Sequence, residues 1–442
     1  MADTTKGLPN RWLIAIMGTL LQVSLGTVYA WSYFQKPIMA QFGWNNTQVM
    51  WIFSLAICML GLAAAWGGIY LAKFGPRKLA VTGAVMYGAG YLLAALAMQM
   101  KSLPLFYLSY GVFGGIGLGL GYVTPVATSA KWFPDRKGFI TGMVVMGFGL
   151  GALVMSKVIA PMLMELTDKN LVQVFLCAGV VLLVLGAVAA SFMQNPPSGF
   201  VPAGYTPPVA TASAQAADDA LTAKECILSS RFLLLWLFFF ANICVGIMFI
   251  GMQSPMVQDL LKATDPYAGV DKDVAKAALA AAGATLIAIS SIFNGVGRFF
   301  WGGLSDKAGR VTTFRMILGT QVAVFVALVF VKSPLLFGVL VCYVLLCYGG
   351  GFGTAPSMVL TVFGVRLMPV VYGALLTAWS SAGVIGPQIA ARIKDAWPDK
   401  AGVYTFSVGV VILLAGFVLT LFVNDTPFQK TAWANRRLAG KP

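Results

Sequence analysis

Ser291-Ile292-Phe293-Asn294-Gly295-Val296-Gly297-Arg298-Phe299-Phe300-Trp301-Gly302-Gly303 closes a long apolar run and leads into the charged turn Ser305-Asp306-Lys307-Ala308-Gly309-Arg310. The run begins near residue 277, and Arg298 stands eight residues before Asp306. At ~1.5 Å rise per residue that is about 12 Å of helix. In a helix crossing a hydrocarbon core of about 30 Å, Arg298 is deep in the membrane. A guanidinium there costs at least ~2.5–3.5 kcal/mol, so it must face a cavity or a partner and not lipid. No acidic residue inside an apolar segment offers itself as a permanent partner. The missing anion is therefore expected to be the substrate. The competing reading has Arg298 snorkel to the nearer surface along Phe299 and Trp301, a long reach from this depth.

Composition puts this helix among many. The 442 residues are 59% hydrophobic and 10% charged, with a mean hydropathy of +0.82. That balance belongs to a polytopic helical membrane protein and excludes a soluble domain. Continuous apolar runs of about twenty residues exclude a β-barrel, whose strands alternate. The net charge of +15 resides in loops, where it orients the chain against anionic lipid, so no nucleic-acid partner is expected. The six cysteines have no metal or redox spacing, and Cys58, Cys177, Cys244 and Cys342 read as small core residues. Histidine, the usual proton-relay side chain, is absent. The first apolar run exceeds a signal peptide's and is expected to remain as a helix. No cofactor or metal is expected.

Hydropathy windows predict twelve helices, near 11–33, 46–72, 79–99, 104–130, 138–160, 171–193, 230–257, 277–304, 312–331, 335–363, 370–394 and 402–424. The expected organisation is an all-α membrane protein of two pseudo-symmetric six-helix bundles, 1–193 and 230–424. Residues 194–229, rich in Pro, Ala, Ser and Thr, form a linker, and 425–442 a tail. Of 30 Lys and Arg, 18 fall in the N-terminus, the even-numbered loops, the linker and the tail (Lys6, Lys131 and Arg436 among them), against 11 on the opposite side. The excess places both termini in the cytoplasm, in an inner (plasma) membrane.

The two halves echo each other. Gly68 to Arg77 after the second helix, with Lys73, matches Gly302 to Arg310 after the eighth, with Asp306. Such duplication is the build of rocking transporters. These turns resemble the signature loop of the major facilitator superfamily, over nearly the whole chain. Lys73, Arg77, Asp306 and Arg310 would then serve gating, with Ala72 standing where that family has an acid. Longer strings (Gly26 to Ser32, Lys131 to Gly138, Phe293 to Gly302) resemble the oxalate/formate antiporter family and its bacterial monocarboxylate-transporter relatives. There two basic residues, on the eighth and eleventh helices, hold a dianion. Arg298 matches the first. Trp379 stands at the second, and Val28 replaces a glutamine of the first helix.

Depth along each helix selects the other candidates. Tyr122 lies nine residues from Lys131, and Trp379 ten past Pro369. Asn294 is one turn from Arg298 on the same face. Tyr348 precedes Gly349-Gly350-Gly351-Phe352-Gly353, and Tyr29 and Val28 belong to the first helix. Aromatic residues in membrane helices are commonly packing or interface belt, which is the alternative for each of Tyr29, Tyr122, Tyr348, Phe352 and Trp379. An arginine suits a carboxylate because its planar fork donates two parallel hydrogen bonds and stays charged. One arginine among aromatic walls matches one negative charge and a short apolar tail. The glycine strings 111–121 and 142–151 lack a preceding strand, so they are helix contacts, letting the fourth and fifth helices slide, and not a nucleotide site. Lys157 and Glu165 read as an interfacial pair, and Asp271, Lys272 and Asp273 as solvated.

These readings predict a secondary carrier of small monocarboxylates such as lactate or pyruvate, proton-coupled and functional as a monomer. Exchange of carboxylates and a non-transporting carboxylate receptor are the alternatives. An enzyme would need a nucleophile, base or metal set within the membrane, and the sequence offers none.

Overall fold

A computed structural model describes residues 9–202, 204, 205, 222–264, 269–364 and 366–428. Lys6, linker residues 206–221, Asp265 and the tail from 429, with Lys430, Arg436, Arg437 and Lys441, lie outside the described residues. Among the described residues there is no strand, and twelve helices are long and apolar enough to cross a membrane. They are α1 (Arg11–Phe42), α2 (Asn46–Phe74), α3 (Pro76–Gln99), α4 (Leu103–Trp132), α5 (Phe139–Leu166) and α6 (Leu171–Ser191). After the linker come α7 (Ser230–Thr264), α8 (Lys272–Ala308), α9 (Arg310–Phe330), α10 (Pro334–Phe363), α11 (Val370–Ala396) and α12 (Pro398–Thr420).

The helix starts follow ordinary capping chemistry. Asn10 accepts from the Trp12 amide at 2.9 Å, and Asn45 and Gln48 form a reciprocal capping box at α2. Asn170 takes the amides of Val172 and Gln173 at the start of α6. α1 passes through a 3₁₀ turn at Thr27–Ala30, and π-helical stretches interrupt α4 at Tyr107–Gly114 and α5 at Met155–Ile159.

Alternate helix ends share a side, so the molecule has a linker end, where α1 begins and α6 stops, and a far end. At the linker end two one-residue turns repeat. Gly75 joins α2 to α3 at φ 78, ψ 156, and Gly309 joins α8 to α9 at φ 90, ψ 153. Only glycine adopts this region readily. Superposed on these glycines, Ala72 falls opposite Asp306 and Pro76 opposite Arg310. This is the register in which Ala72 stands at the family's acid, and it leaves Arg77 one residue past the place of Arg310. Arg310 makes an i,i+4 ion pair with Asp306 at 2.5 Å. Lys73 and Arg77 are exposed, Lys73 over the Phe74 ring and Arg77 bonded to Gln194 at 3.3 Å.

Several helices outrun their hydropathy windows at the far end. α1 continues past residue 33 to Phe42, and α7 past 257 to Thr264. Polar residues in these extensions find partners across the two halves of the chain. Asp259 of α7 takes Lys36 of α1 at 2.7 Å and Lys394 of α11 at 3.0 Å. Asp395 accepts from the side chains of Asn46 and Thr47 at the start of α2, at 2.9 and 2.6 Å. Lys157 and Glu165 form no pair; the Lys157 ammonium donates to Thr285 of α8 at 2.7 Å. The glycine strings make close helix–helix contacts, as expected. Gly117 of α4 backs onto α3 and Gly119 onto α2, while Gly147 and Gly151 of α5 back onto α1.

Candidate functional site

Midway along the bundle, Arg298 of α8 is 2% exposed, and among the described residues none of its three guanidinium nitrogens has a hydrogen-bond partner. Its helix is held from behind by glycines. A side chain at Gly353 of α10 would collide with the Arg298 backbone, and one at Gly349 with Asn294. Asn294, one turn along, is equally buried, and its Oδ1 is also unpartnered among the described residues.

Aromatic rings from both halves of the chain enclose the guanidinium. Phe352 lies 5.2 Å below it in a cation–π contact. Phe352 packs on Trp379 at 4.7 Å and on Tyr348 at 5.3 Å. Tyr122 meets Trp379 at 5.2 Å. Tyr29 closes the remaining side, its hydroxyl 2.6 Å from that of Tyr348, so α1 and α10 touch across the halves. Val28, fully buried, shares the 3₁₀ turn that presents Tyr29. The hydroxyls of Tyr29, Tyr122, Tyr348 and Tyr372 all lie within the electrostatic reach of Arg298.

The candidate residues Tyr29, Tyr122, Arg298, Tyr348, Phe352 and Trp379 thus form one connected cluster. Two further contributors were not singled out from the sequence. Phe148 of α5 lies between Tyr29, Tyr122 and Trp379, at 4.9, 5.1 and 5.9 Å. It stands twelve residues past Arg136, against nine between Tyr122 and Lys131, and is hidden among the glycines of 142–151. Tyr372 stands on the first turns of α11, inside the predicted span 370–394, where its composition alone does not distinguish a site ring from a packing ring.

Electrostatically the cluster is dominated by donors, with the Asn294 Oδ1 as an unpartnered acceptor beside them. The Tyr122 hydroxyl and the Trp379 indole N–H, like the guanidinium, are buried and unpartnered among the described residues. Each such group carries an unfavourable free energy of ~1–3 kcal/mol, more for the charge. A carboxylate satisfies this set, because two oxygens accept in the plane of the guanidinium fork while its substituent packs on rings. Toward the far end the cluster continues into a small void bordered by Tyr29, Gln253, Ser290 and Asn294, where Ser290 donates to Gln253 at 2.8 Å.

Twelve membrane-length helices around a central buried arginine define a membrane transporter fold. The model of the Major Facilitator Superfamily matches residues 12–387, and the chain belongs to that superfamily. It is similar to an oxalate:formate antiporter of Oxalobacter formigenes, 25% identical with 94% of this chain and 93% of that one covered. Apicoplast pyruvate carrier 1 of Toxoplasma gondii is 24% identical over 84% of this chain and 72% of its own. Monocarboxylate transporter 12 of Rattus norvegicus is 23% identical over 92% and 82%. Among solved structures, a bacterial homolog of the human lysosomal transporter Spinster, inward-facing and unoccupied, superposes with a TM-score of 0.63 at 16% identity, covering 94% of this chain and 97% of that one. The chain is a multi-pass membrane transporter.

Proposed function

We propose that the protein is a secondary active carrier of small monocarboxylates such as lactate or pyruvate, working by alternating access around Arg298. The observation that carries this reading is a fully buried guanidinium whose nitrogens are all unpartnered among the described residues, within an aromatic cage. Asn294 orients the arginine or bonds the ligand, and Tyr29, Val28, Tyr122, Tyr348, Phe352 and Trp379 form the walls. With Trp379 at the place of a second cation, a dicarboxylate would leave its second charge desolvated, so the singly charged acid is favoured. Residues 1–193 and 230–424 act as the two rocking units, joined by the linker 194–229. The linker end, with Lys73, Arg77, Asp306, Arg310, the tail 425–442 and both termini, faces the cytoplasm of a plasma membrane, and the monomer is the working unit.

The relatives support the substrate class, since their names refer to oxalate and formate, pyruvate, and monocarboxylates. Proton coupling is assigned to the substrate itself, bound as the anion and released with a proton drawn in during occlusion. Arginine, with a pKa above about 12, and tyrosine, near ~10, are poor carriers at neutral pH. Carboxylate exchange is the second reading, favoured by the relative named an antiporter. Counterflow of labelled lactate in liposomes tests the carrier: wild-type protein should accelerate it, and absence of flux for lactate, pyruvate, formate and oxalate alike refutes transport of this class. Accumulation driven by a pH gradient then separates symport from exchange.

A further inference from the structure

The hydroxyl of Ser291 crosses from the last six helices to the first six. It donates a short hydrogen bond to the Gly149 carbonyl of α5 and accepts from the Leu153 amide at 3.2 Å. Gly149 and Leu153 are four residues apart, the pair that an α-helix joins directly. One side-chain hydroxyl therefore sits on both ends of a single step of the α5 ladder. The adjoining segment of α5, Met155–Ile159, is π-helical, as is common where a group inserts into a helix.

The seam around this bond is close. A Cβ at Gly149 would lie 3.1 Å from the Gly295 Cα of α8, so two backbones meet there without side chains between them. Further toward the far end, Lys157 bonds Thr285 across the same seam. Ser291 is 3% exposed, and it precedes Asn294 by three residues and Arg298 by seven, spacings that keep all three on one face of α8. Whatever fixes Ser291 against α5 also fixes the height and rotation of the arginine.

We propose that Ser291 is a positioning residue of the transport cycle: it registers the Arg298 face of α8 to α5 in the conformation with the far end closed, and lets go without stranding a polar group. When the halves part, the Gly149 carbonyl and Leu153 amide can bond each other, and the serine hydroxyl can turn to a carbonyl of its own helix. A hydrophobic contact here would hold no register. A charged one would leave an unpaired ion on opening. This role rests on the carrier reading given above.

The test compares Ser291→Ala with Ser291→Thr in full-length protein. In proteoliposomes, half-saturation for lactate is measured separately from each face. Loss of the hydroxyl releases the far-end-closed state. The Ala variant should therefore bind more tightly from the far-end face and more weakly from the linker face, moving the ratio about 3- to 10-fold. The Thr variant should stay within about twofold of wild type. Misfolding lowers the amount of active carrier and leaves that ratio alone. An unchanged ratio in Ser291→Ala, or equal displacement by Ala and Thr, overturns the proposal. A second arm needs no substrate: amide hydrogen exchange in peptides covering Gly149–Ile159 should quicken at least about threefold in the Ala variant and not in the Thr variant. If wild-type protein carries no monocarboxylate, the carrier reading fails, and the exchange arm alone decides the seam. Unchanged exchange refutes it.

Discussion

Two cationic places in this molecule solve the same problem in opposite ways. At the far end Asp259 serves two lysines, Lys36 and Lys394, with side chains 29, 34 and 28% exposed for Lys36, Asp259 and Lys394. Near the midplane Arg298 is buried and unpartnered among the described residues. The far-end group touches water, so its charges need little help, and each exposed pair contributes about 0.2–1 kcal/mol. Its consequence is conformational, because Lys36 belongs to the first six helices and Asp259 to the last six. The midplane group is desolvated, where an unpaired charge is expensive and an arriving anion gains most. A permanent acid stands where the two halves meet at the far end, and among the described residues none pairs with the guanidinium of the proposed carboxylate site.

The comparison breaks most visibly at Arg298. Arg298→Lys keeps the charge but loses the bidentate fork, removing one charge-assisted bond of ~1.5–3 kcal/mol, about 10- to 150-fold in lactate uptake. Monodisperse elution and an unchanged melting curve check that the fold survives. Wild-type uptake by Arg298→Ala would remove the arginine from the mechanism altogether.

Giving the midplane a second cation sharpens the contrast. Trp379→Lys should raise the oxalate-to-lactate affinity ratio by about tenfold or more, read by competitive binding to inserted protein. Unchanged discrimination would mean that charge number at this position does not select the substrate.

Removing the acid from the other place should do less. Asp259→Asn leaves Lys36 and Lys394 without their shared anion, and the far end should open more often, shifting the ratio of half-saturation constants between the two faces about 2- to 5-fold. Uptake driven by acid outside should keep its pH dependence in this variant and in Asp395→Asn. Uptake rises as external pH falls because the proton drawn in during occlusion is then more available. A variant that still exchanges lactate but no longer accumulates it would place the proton on that carboxylate. The smallest effect is expected at the linker end. Ala72→Asp supplies the acid that the first turn lacks opposite Asp306, but Pro76 stands where Arg310 would answer it, so flux should change less than about twofold.

Much of this was legible in the chain because membrane burial imposes local rules. Every span must be apolar along its own length and satisfy its backbone within itself, so hydropathy windows found all twelve helices. A lone arginine at depth announced itself by its solvation penalty, whatever it packs against. The repeated turn glycines, Gly75 and Gly309, carried the internal duplication and its register. The aromatic candidates were legible in kind and depth, not in direction. A ring facing lipid and a ring facing the site have the same composition, and Phe148 and Tyr372 passed unnoticed for that reason.

Sequence alone therefore determined the spans, the twofold plan and a desolvated charge at Arg298, since each follows from residues within a single helix and the solvent around it. Tertiary structure decided which rings gather at that charge, that Asp259 finds Lys36 more than two hundred residues away, that Lys157 turns to Thr285, and that the Ser291 hydroxyl enters another helix's ladder. These are meetings between side chains distant in the chain, fixed by how helices rotate and cross. Rotation within a membrane is set by packing against neighbours, a sum over many small contacts that no window of sequence contains.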